Sequence, residues 1–477
     1  MTSSTDDSRP ASAGSFRELL QVAVPLVLSA GSLSIMNVID RILLTRYSMD
    51  ALAASLPAGL LHWTIMSLAL GTVLYVNTFV AQYDGAGRKR EVATSVWQGI
   101  WLSVVSGVLL LAFVPLAQPI FNAIGHADGV RQFEADYFAI LSGGSVVFLL
   151  SNAMACFFTG RRQTSVVMWV NIISVLVNVV LDVLLIFGPG VFPEMGIRGA
   201  AWATIAARGA AVVCYARLLL GADVRNEYGF LKCWKPDRKL ILRVLRFGLP
   251  SGVHFFVDIA GFSVFIFLVG GLGRDALAAT SLAFNLNAVA FVPLIGMGIA
   301  VMTLVANRVG EGRPALAVRT AWMAAGISGA WMLAFAVVCV AMPDLMLIPY
   351  AAWHAETEFE TIRATVVTLL RFVAAYSFFD AMAIVFSSAV RGAGDTRFPL
   401  IWTLLCCWLL MVVPTWLIST RFGGNLLMSW FACTVYIVVV GTGLLLRFQS
   451  GRWKSMSVIE PDLIRTGNPA GKKRDAR

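Results

Sequence analysis

A dozen apolar runs, each roughly 20 residues or longer and separated by short charged or Pro/Gly-bearing connections, constrain this chain more than any other feature of its sequence. Runs of that length cross a bilayer as helices, which satisfy every backbone group internally, whereas a barrel would show short alternating segments. Spans are expected at about 19–45, 53–80, 93–117, 134–158, 165–188, 196–220, 241–270, 277–306, 317–345, 361–389, 398–420 and 424–446. Composition agrees. Of 477 residues, 58% are hydrophobic and 13% charged, against about 45–50% and about 25% in a soluble domain. Twelve helices consume nearly the whole length, so no large soluble domain fits beside them.

The net charge of +10 is a matter of topology rather than of nucleic-acid binding. Assigned to alternate compartments, 28 of the 37 Lys and Arg fall on the side of both termini and of the connection between spans 6 and 7. By the positive-inside rule that side is cytoplasmic, and the membrane is the cell inner membrane. The opposite side carries acidic clusters, Asp128, Glu134 and Asp136, then Glu356, Glu358 and Glu360. The segments that follow are a cytoplasmic tail at 1–18, an N-lobe at 19–220, a cytoplasmic connection at 221–240, a C-lobe at 241–446 and a cytoplasmic tail at 447–477. The first residues, MTSSTDDSRPASAGS, lack the apolar core and cleavage site of a signal peptide, so the first span serves as the targeting signal. Lys472-Lys473-Arg474 reads as a solvated tail against anionic lipid. The seven cysteines have no zinc-ligand spacing, and six of them lie in apolar runs, which argues against a disulfide framework.

The chain repeats itself. Met49-Asp50-Ala51-Leu52-Ala53-Ala54 matches Arg274-Asp275-Ala276-Leu277-Ala278-Ala279 at an offset of 225 residues. The same offset, without a gap, superposes Pro25 on Pro250, Gly71 on Gly296, Thr78 on Thr303 and Gly85-Ala86-Gly87-Arg88 on Gly310-Glu311-Gly312-Arg313. Gly160 and Thr164 fall on Gly392 and Thr396 at an offset of 232. The fold class is therefore an all-α polytopic membrane protein of twelve transmembrane helices in two homologous six-helix lobes. Six spans per half give both halves one orientation, related by an axis along the membrane normal.

An ionisable residue at mid-membrane costs about 2.5–3.5 kcal/mol on insertion scales, which makes each one a candidate site residue. Span 1 carries Asp40. Span 5 carries Asn178 and Asp182, four apart and so on one helix face, and Thr204 of span 6 is placed to add an oxygen. In the second half, Asp258 follows His254 by one turn in span 7, and Asp380 follows Tyr376 by one turn in span 10. Carboxylates with amide and hydroxyl oxygens suit a hard cation or a transferable proton. For His254 and Tyr376, packing roles compete with site roles. The repeat sets Phe265 opposite Asp40 and Leu33 opposite Asp258, so the acids were not placed by the repeat itself. Gly85-x-Gly87-Arg88 and Gly310-x-Gly312-Arg313 lack the Gly-Lys-Ser/Thr ending of a phosphate loop and read as turns. Nothing in the sequence argues for an enzyme.

These residues resemble the multidrug and toxic compound extrusion (MATE) transporters, and in particular their NorM-like branch. The resemblance rests on Pro25 and Asp40, on Gly85-Ala86-Gly87-Arg88, on Asn178-Val179-Val180-Leu181-Asp182, on Gly199-Ala200-Ala201, on Gly248-Leu249-Pro250 and on Arg391-Gly392-Ala393-Gly394-Asp395-Thr396. It covers essentially all of the chain except the two tails. It implies an antiporter that exports organic, often cationic compounds against entry of Na⁺ or H⁺, with no resident cofactor, acting as a monomer. By position it gives Asp40, Asn178, Asp182 and Thr204 to an N-lobe cation and proton site. It gives Asp258, Tyr376 and Asp380 to a C-lobe site, with Na⁺ at Asp258 and Asp380. Where that branch commonly has Glu in span 7, this chain has the shorter Asp258. The rival is a lipid-linked oligosaccharide flippase of the same superfamily, for which Arg208 and Arg371 are the residues that would line a cationic cavity. A channel or scaffold is a further alternative, and a major-facilitator carrier is disfavoured by the lack of its Asp-Arg-x-Gly-Arg loop.

Overall fold

The computed structural model describes residues 14–190, 192–351, 356–421 and 423–464. Eleven helices are long and apolar enough to cross a membrane, and a bent pair supplies a twelfth. In the first half they are α1 (Phe16–Tyr47), α2 (Met49–Gly85), α3 (Lys89–Phe113), α4 (Gly129–Gly143 with Ser145–Gly160), α5 (Thr164–Phe187) and α6 (Ile197–Leu219). The second half holds α7 (Arg238–Gly270), α8 (Arg274–Gly310), α9 (Pro314–Ala341), α10 (Ile362–Ala393), α11 (Arg397–Arg421) and α12 (Leu426–Gln449). Side-chain caps mark several starts: Ser15, Ser48, Asp237 and Asn425 each accept backbone N–H bonds from the first turn that follows. Large apolar side chains such as Phe267, Val289 and Leu109 stand outward, as a lipid-facing surface requires.

Two local features depart from uninterrupted helix. The expected continuous span at 134–158 is bent by 43° at Gly144, within the run Ser142-Gly143-Gly144-Ser145, where hydropathy is blind to the break. α11 contains one π-helical turn at Cys407–Val412, which turns Cys407 against Gly261 of α7. A third departure concerns charge. Glu134, read as part of an acidic cluster on the side opposite the basic connections, is fully buried and pairs with His126 Nδ1 at 2.7 Å, while Asp136 holds Arg198 at 2.7 Å. A partner eight residues away in sequence makes that burial possible, and it was not visible in the charge pattern. The side chains of Asp128, Glu356, Glu358 and Glu360, and the whole of Lys472-Lys473-Arg474, lie outside the described residues.

The repeat is visible in the packing. Each half lends the start of its first helix to the other half. Leu19, Val22 and Leu26 of α1 belong to the core of α8–α10 and α12, and Leu240 and Val244 of α7 belong to the core built on α2, α3 and α4. Close contacts obey the same offset. A Cβ at Gly71 would stand 2.8 Å from Gly252 Cα, and one at Gly296 would stand 2.6 Å from the Val27 nitrogen, Val27 being the counterpart of Gly252. A Cβ at Gly85 would collide with the Asn307 carbonyl oxygen, and one at Gly310 with that of Gln82. The turns that follow use Gly87 at φ +74° and Gly312 at φ +70°, left-handed positions that explain the paired glycines without any phosphate.

The lobes are joined most densely at the end of the bundle that carries the basic connections. Asn77 Nδ2 donates to Thr303 Oγ1 at 2.8 Å, Asn307 Nδ2 to Asp84 Oδ2 at 3.1 Å, and Gln82 Nε2 to the Gly392 carbonyl at 3.0 Å. After α12 the chain turns back across the seam. Trp453 stacks on Phe448 at 5.1 Å, Val458 and Ile459 are buried in the N-lobe core, and Ser457 Oγ and the Val458 N–H donate to Gln82 Oε1. Glu460 pairs with Arg243 and accepts from Tyr83 OH at 3.0 Å. Burial alone would raise the Glu460 carboxyl, but its own backbone N–H and Arg243 outweigh that and hold it below its usual range.

Arg308, 2% exposed, is held between Glu18 of α1 and Glu311 Oε2 at 2.8 Å, and Arg162 approaches Glu18 at 3.1 Å. Glu18→Ala is expected to lower the thermal midpoint in detergent, because it removes half of the carboxylate cage from a buried guanidinium. The cost is about 1–3 kcal/mol, since Glu311 remains. An unchanged midpoint would show that the cage adds nothing.

Candidate functional site

The N-lobe acids come together. Asp40 is 8% exposed and Asn178 and Asp182 are fully buried, and the Asp40 and Asp182 carboxyls face each other within hydrogen-bonding reach across α1 and α5. Both oxygens of Asp182, one of Asp40 and both ends of the Asn178 amide have no partner among the described residues. An ionised carboxyl only accepts, so this arrangement lacks a positive charge between its acids. A proton or a hard cation is what fills such a gap. Asp40 stands seven residues inside the end of α1, roughly 10 Å along the helix at 1.5 Å per residue. Thr204 is half-buried and donates to the Ala200 carbonyl at 3.0 Å, with no hydrogen bond to the three. Sequence reasoning missed Tyr137 of α4, which lies within electrostatic range of both Asp40 and Asp182. No helical spacing connects α4 to α1 and α5.

The C-lobe acids form a second cluster, deeper in the bundle. Asp258 is twelve residues from the end of α7, roughly 18 Å, and Asp380 is thirteen from the end of α10, roughly 20 Å. The two are within electrostatic range of each other. His254 Nδ1 lies 3.4 Å from Asp258 Oδ2, and its Nε2 lies 3.2 Å from Thr403 Oγ1, so this histidine bridges α7 to α11. Tyr376 is 1% exposed and sits beside Asp380 with Cys433, while Tyr436 and Cys407 flank Asp258. Asp258 keeps 37% of its side chain accessible, against 9% for His254. One guanidinium faces the cluster. Arg391 lies within range of Asp258, its Nη1 is 3.4 Å from Ser251 Oγ, and its carbonyl accepts from Tyr75 OH of α2 at 2.8 Å. Arg391 was read only as part of a loop motif, and its reach along α10 toward the acids was not legible.

The two arginines that would favour a cationic cavity do not converge. Arg371 is exposed, and Arg208 is buried alone in the N-lobe. Among the described residues all seven cysteines are free, and no group of three or more His, Cys, Asp or Glu is arranged to hold a metal. Paired carboxylates with neutral oxygens suit a weakly held ion that must leave again, not a soft-metal centre.

Twelve spans in two lobes joined at one end, with a pair of acids inside each lobe, describe a multi-pass membrane transporter. The MatE family model matches residues 25–184 and 250–417, and the chain belongs to that family. It is 25% identical over 455 residues to a probable multidrug resistance protein NorM of Thermotoga maritima, covering 94% of this chain and 95% of that one. It is 28% identical over 394 residues to the multidrug resistance protein PmpM of Pseudomonas aeruginosa, covering 82% and 81%. Among solved structures it is similar to a MOP superfamily transporter from Pyrococcus furiosus, with a TM-score of 0.84 at 18% identity over 94% of this chain and all of that one. An outward-facing multidrug resistance MATE family transporter matches with a TM-score of 0.83, also at 18% identity and with the same coverage.

Proposed function

We propose that this chain exports organic, often cationic compounds in exchange for Na⁺ or H⁺. The observation that carries the reading is an acid cluster in each lobe: Asp40, Asn178 and Asp182, buried with polar atoms left unpartnered, and the half-buried Asp258 and Asp380. In the proposed cycle the lobes rock about a central site in the inner membrane, with both termini in the cytoplasm. With the lobes open outward, Asp40, Asn178 and Asp182, and then Asp258, Tyr376 and Asp380, take up the ion. Neutralising the acids changes which lobe arrangement is favoured and displaces a cationic compound. With the lobes open inward, the ion leaves and the compound rebinds. Ion and compound must compete, or the gradient leaks. The names of the relatives, multidrug resistance proteins, support the substrate class, and the sealed basic end supports one of the two lobe arrangements. One charge crossing 100 mV supplies about 2.3 kcal/mol, enough to drive export. A monomer suffices, because each chain holds both lobes.

The test is uptake of a fluorescent cationic dye into everted membrane vesicles, with a Na⁺ gradient and a pH gradient imposed separately. Transport driven by one of them is expected, and the effective gradient names the coupling ion. Silence under both, with folded protein in the membrane, would overturn the antiporter and turn attention to lipid flipping.

A further inference from the structure

The seam between the lobes is lined with acceptors. Asn77 Oδ1 of α2 and Asn307 Oδ1 of α8 are buried there without a partner among the described residues. Asn77 meets Thr303, and nearer the basic end of the same two helices Asn307 meets Asp84. Amide and hydroxyl oxygens that lead to a carboxylate can replace the water around a hard cation. A cation that leaves the C-lobe acids for the basic end therefore finds acceptors on its way, and every ion that passes uncoupled wastes the gradient.

Arg391 stands at the head of that row. Its backbone is fixed to the seam, because its carbonyl accepts from Tyr75 OH of α2, two residues before Asn77, and the next carbonyl, that of Gly392, accepts from Gln82. Its side chain leaves α10 in the opposite direction, toward the start of that helix and the acids. Nη1 lies 3.4 Å from Ser251 Oγ, and Ser251, His254 and Asp258 follow one another at i, i+3 and i+7 on one face of α7. Asp258 is thus roughly 10 Å farther along α7 than the serine that Arg391 touches. The guanidinium sits between the acid and the seam oxygens. Its charge is not cancelled at close range: Nε is buried without a partner among the described residues, and the neighbouring Asp395 is held by Arg447 at 2.7 Å. A guanidinium has five donors, no acceptor and a permanent charge, so it repels a cation and offers it no oxygen. We propose that Arg391 is an electrostatic plug, which stops cations from passing between the C-lobe acids and the basic end while the lobes are joined there. Parting of the lobes carries Tyr75 away with α2 and opens a way around it. This rests on the coupled-export reading above and adds the residue that keeps the coupling tight.

The plug is tested without any exported compound. Purified protein is placed in liposomes under an inside-negative potential set by a K⁺ gradient and valinomycin, and trapped indicators follow Na⁺ entry, H⁺ entry and Cl⁻ flux. Arg391→Gln is expected to raise entry of Na⁺ or H⁺ at least tenfold over wild type and to leave Cl⁻ flux unchanged. Arg391→Lys keeps the charge and is expected to stay within twofold of wild type for all three ions. Thermal unfolding reports whether each variant is folded, and Arg391→Met, equally neutral, takes the place of Arg391→Gln if that variant is not. Cl⁻ passing along with cations would mean a loosened seam and overturn the plug. Cation entry unchanged in a folded neutral variant, or equally raised in Arg391→Lys, would overturn it too. A cation-selective leak on loss of the charge, in a protein whose wild type moves no dye under either gradient, would support the plug and count against export alone.

Discussion

Asp380→Asn is expected to abolish gradient-driven export while leaving the protein in the membrane. The amide keeps the shape of the carboxyl and removes the charge that, in the proposed cycle, an entering cation neutralises. If each cycle then moves one coupled charge fewer, the attainable substrate gradient falls by about 2.3 kcal/mol at 100 mV, roughly fifty-fold. Asp258→Asn acts on the same cluster and is expected to have the same sign. Its neighbours differ, however, because Arg391 faces Asp258 and His254 contacts it at 3.4 Å. Removing this acid leaves Arg391 without its carboxylate, so some loss of thermal stability should accompany the loss of coupling, whereas Asp380→Asn should lose coupling alone. The readout is dye transport in everted vesicles alongside thermal unfolding of each purified variant. Undiminished transport in both variants would remove the C-lobe cluster from the coupling mechanism.

The second large effect is expected at the seam. In Gly310→Ala the new methyl is driven onto the backbone carbonyl of Gln82, which no side-chain rotamer can relieve. Sealing the basic end then requires α2 and α8 to separate, and the bonds Asn77–Thr303 and Gln82–Gly392 lie in the same contact. Export is expected to fall below a tenth of wild type. Hydrogen exchange is expected to accelerate in α2 near Gln82 as well as in α8, although only α8 is altered. Gly326→Ala, where a Cβ meets nothing within 4 Å, is the matched control and should be neutral. Protection that is unchanged in α2 would show that the seam tolerates separation and that closure does not depend on these glycines.

What the sequence disclosed and what it withheld divide along a physical line. Span positions were legible because a long apolar run is a local property, and the two halves were legible because one offset persisted through Gly71, Thr78 and Gly85. The convergence of Asp258 with Asp380, and of Asp40 with Asp182, was implied only by the resemblance, since helical spacing relates residues within a helix and not between helices. Tyr137 and Arg391 were missed for that reason. Thr204 shows the reverse limit: its position on α6 was suited to a site oxygen, but a hydroxyl in a helix finds the carbonyl one turn back, here Ala200 at 3.0 Å. The bend at Gly144 and the π turn at Cys407–Val412 leave the hydropathy of their spans unchanged, so no apolar count registers them.

The reciprocal contact of Gly85 with Asn307 and of Gly310 with Gln82 means that each half carries both a knob-free surface and the carbonyl it receives. Such a six-helix unit is self-complementary, and two copies of it meet the geometric requirement of a two-fold dimer. Fusion into one chain adds little to how the halves recognise each other. What it changes is symmetry: once joined, one half can alter a residue without altering its twin. Asn77, whose counterpart is Met302, records that freedom at the seam, and Asp40 opposite Phe265 records it among the acids.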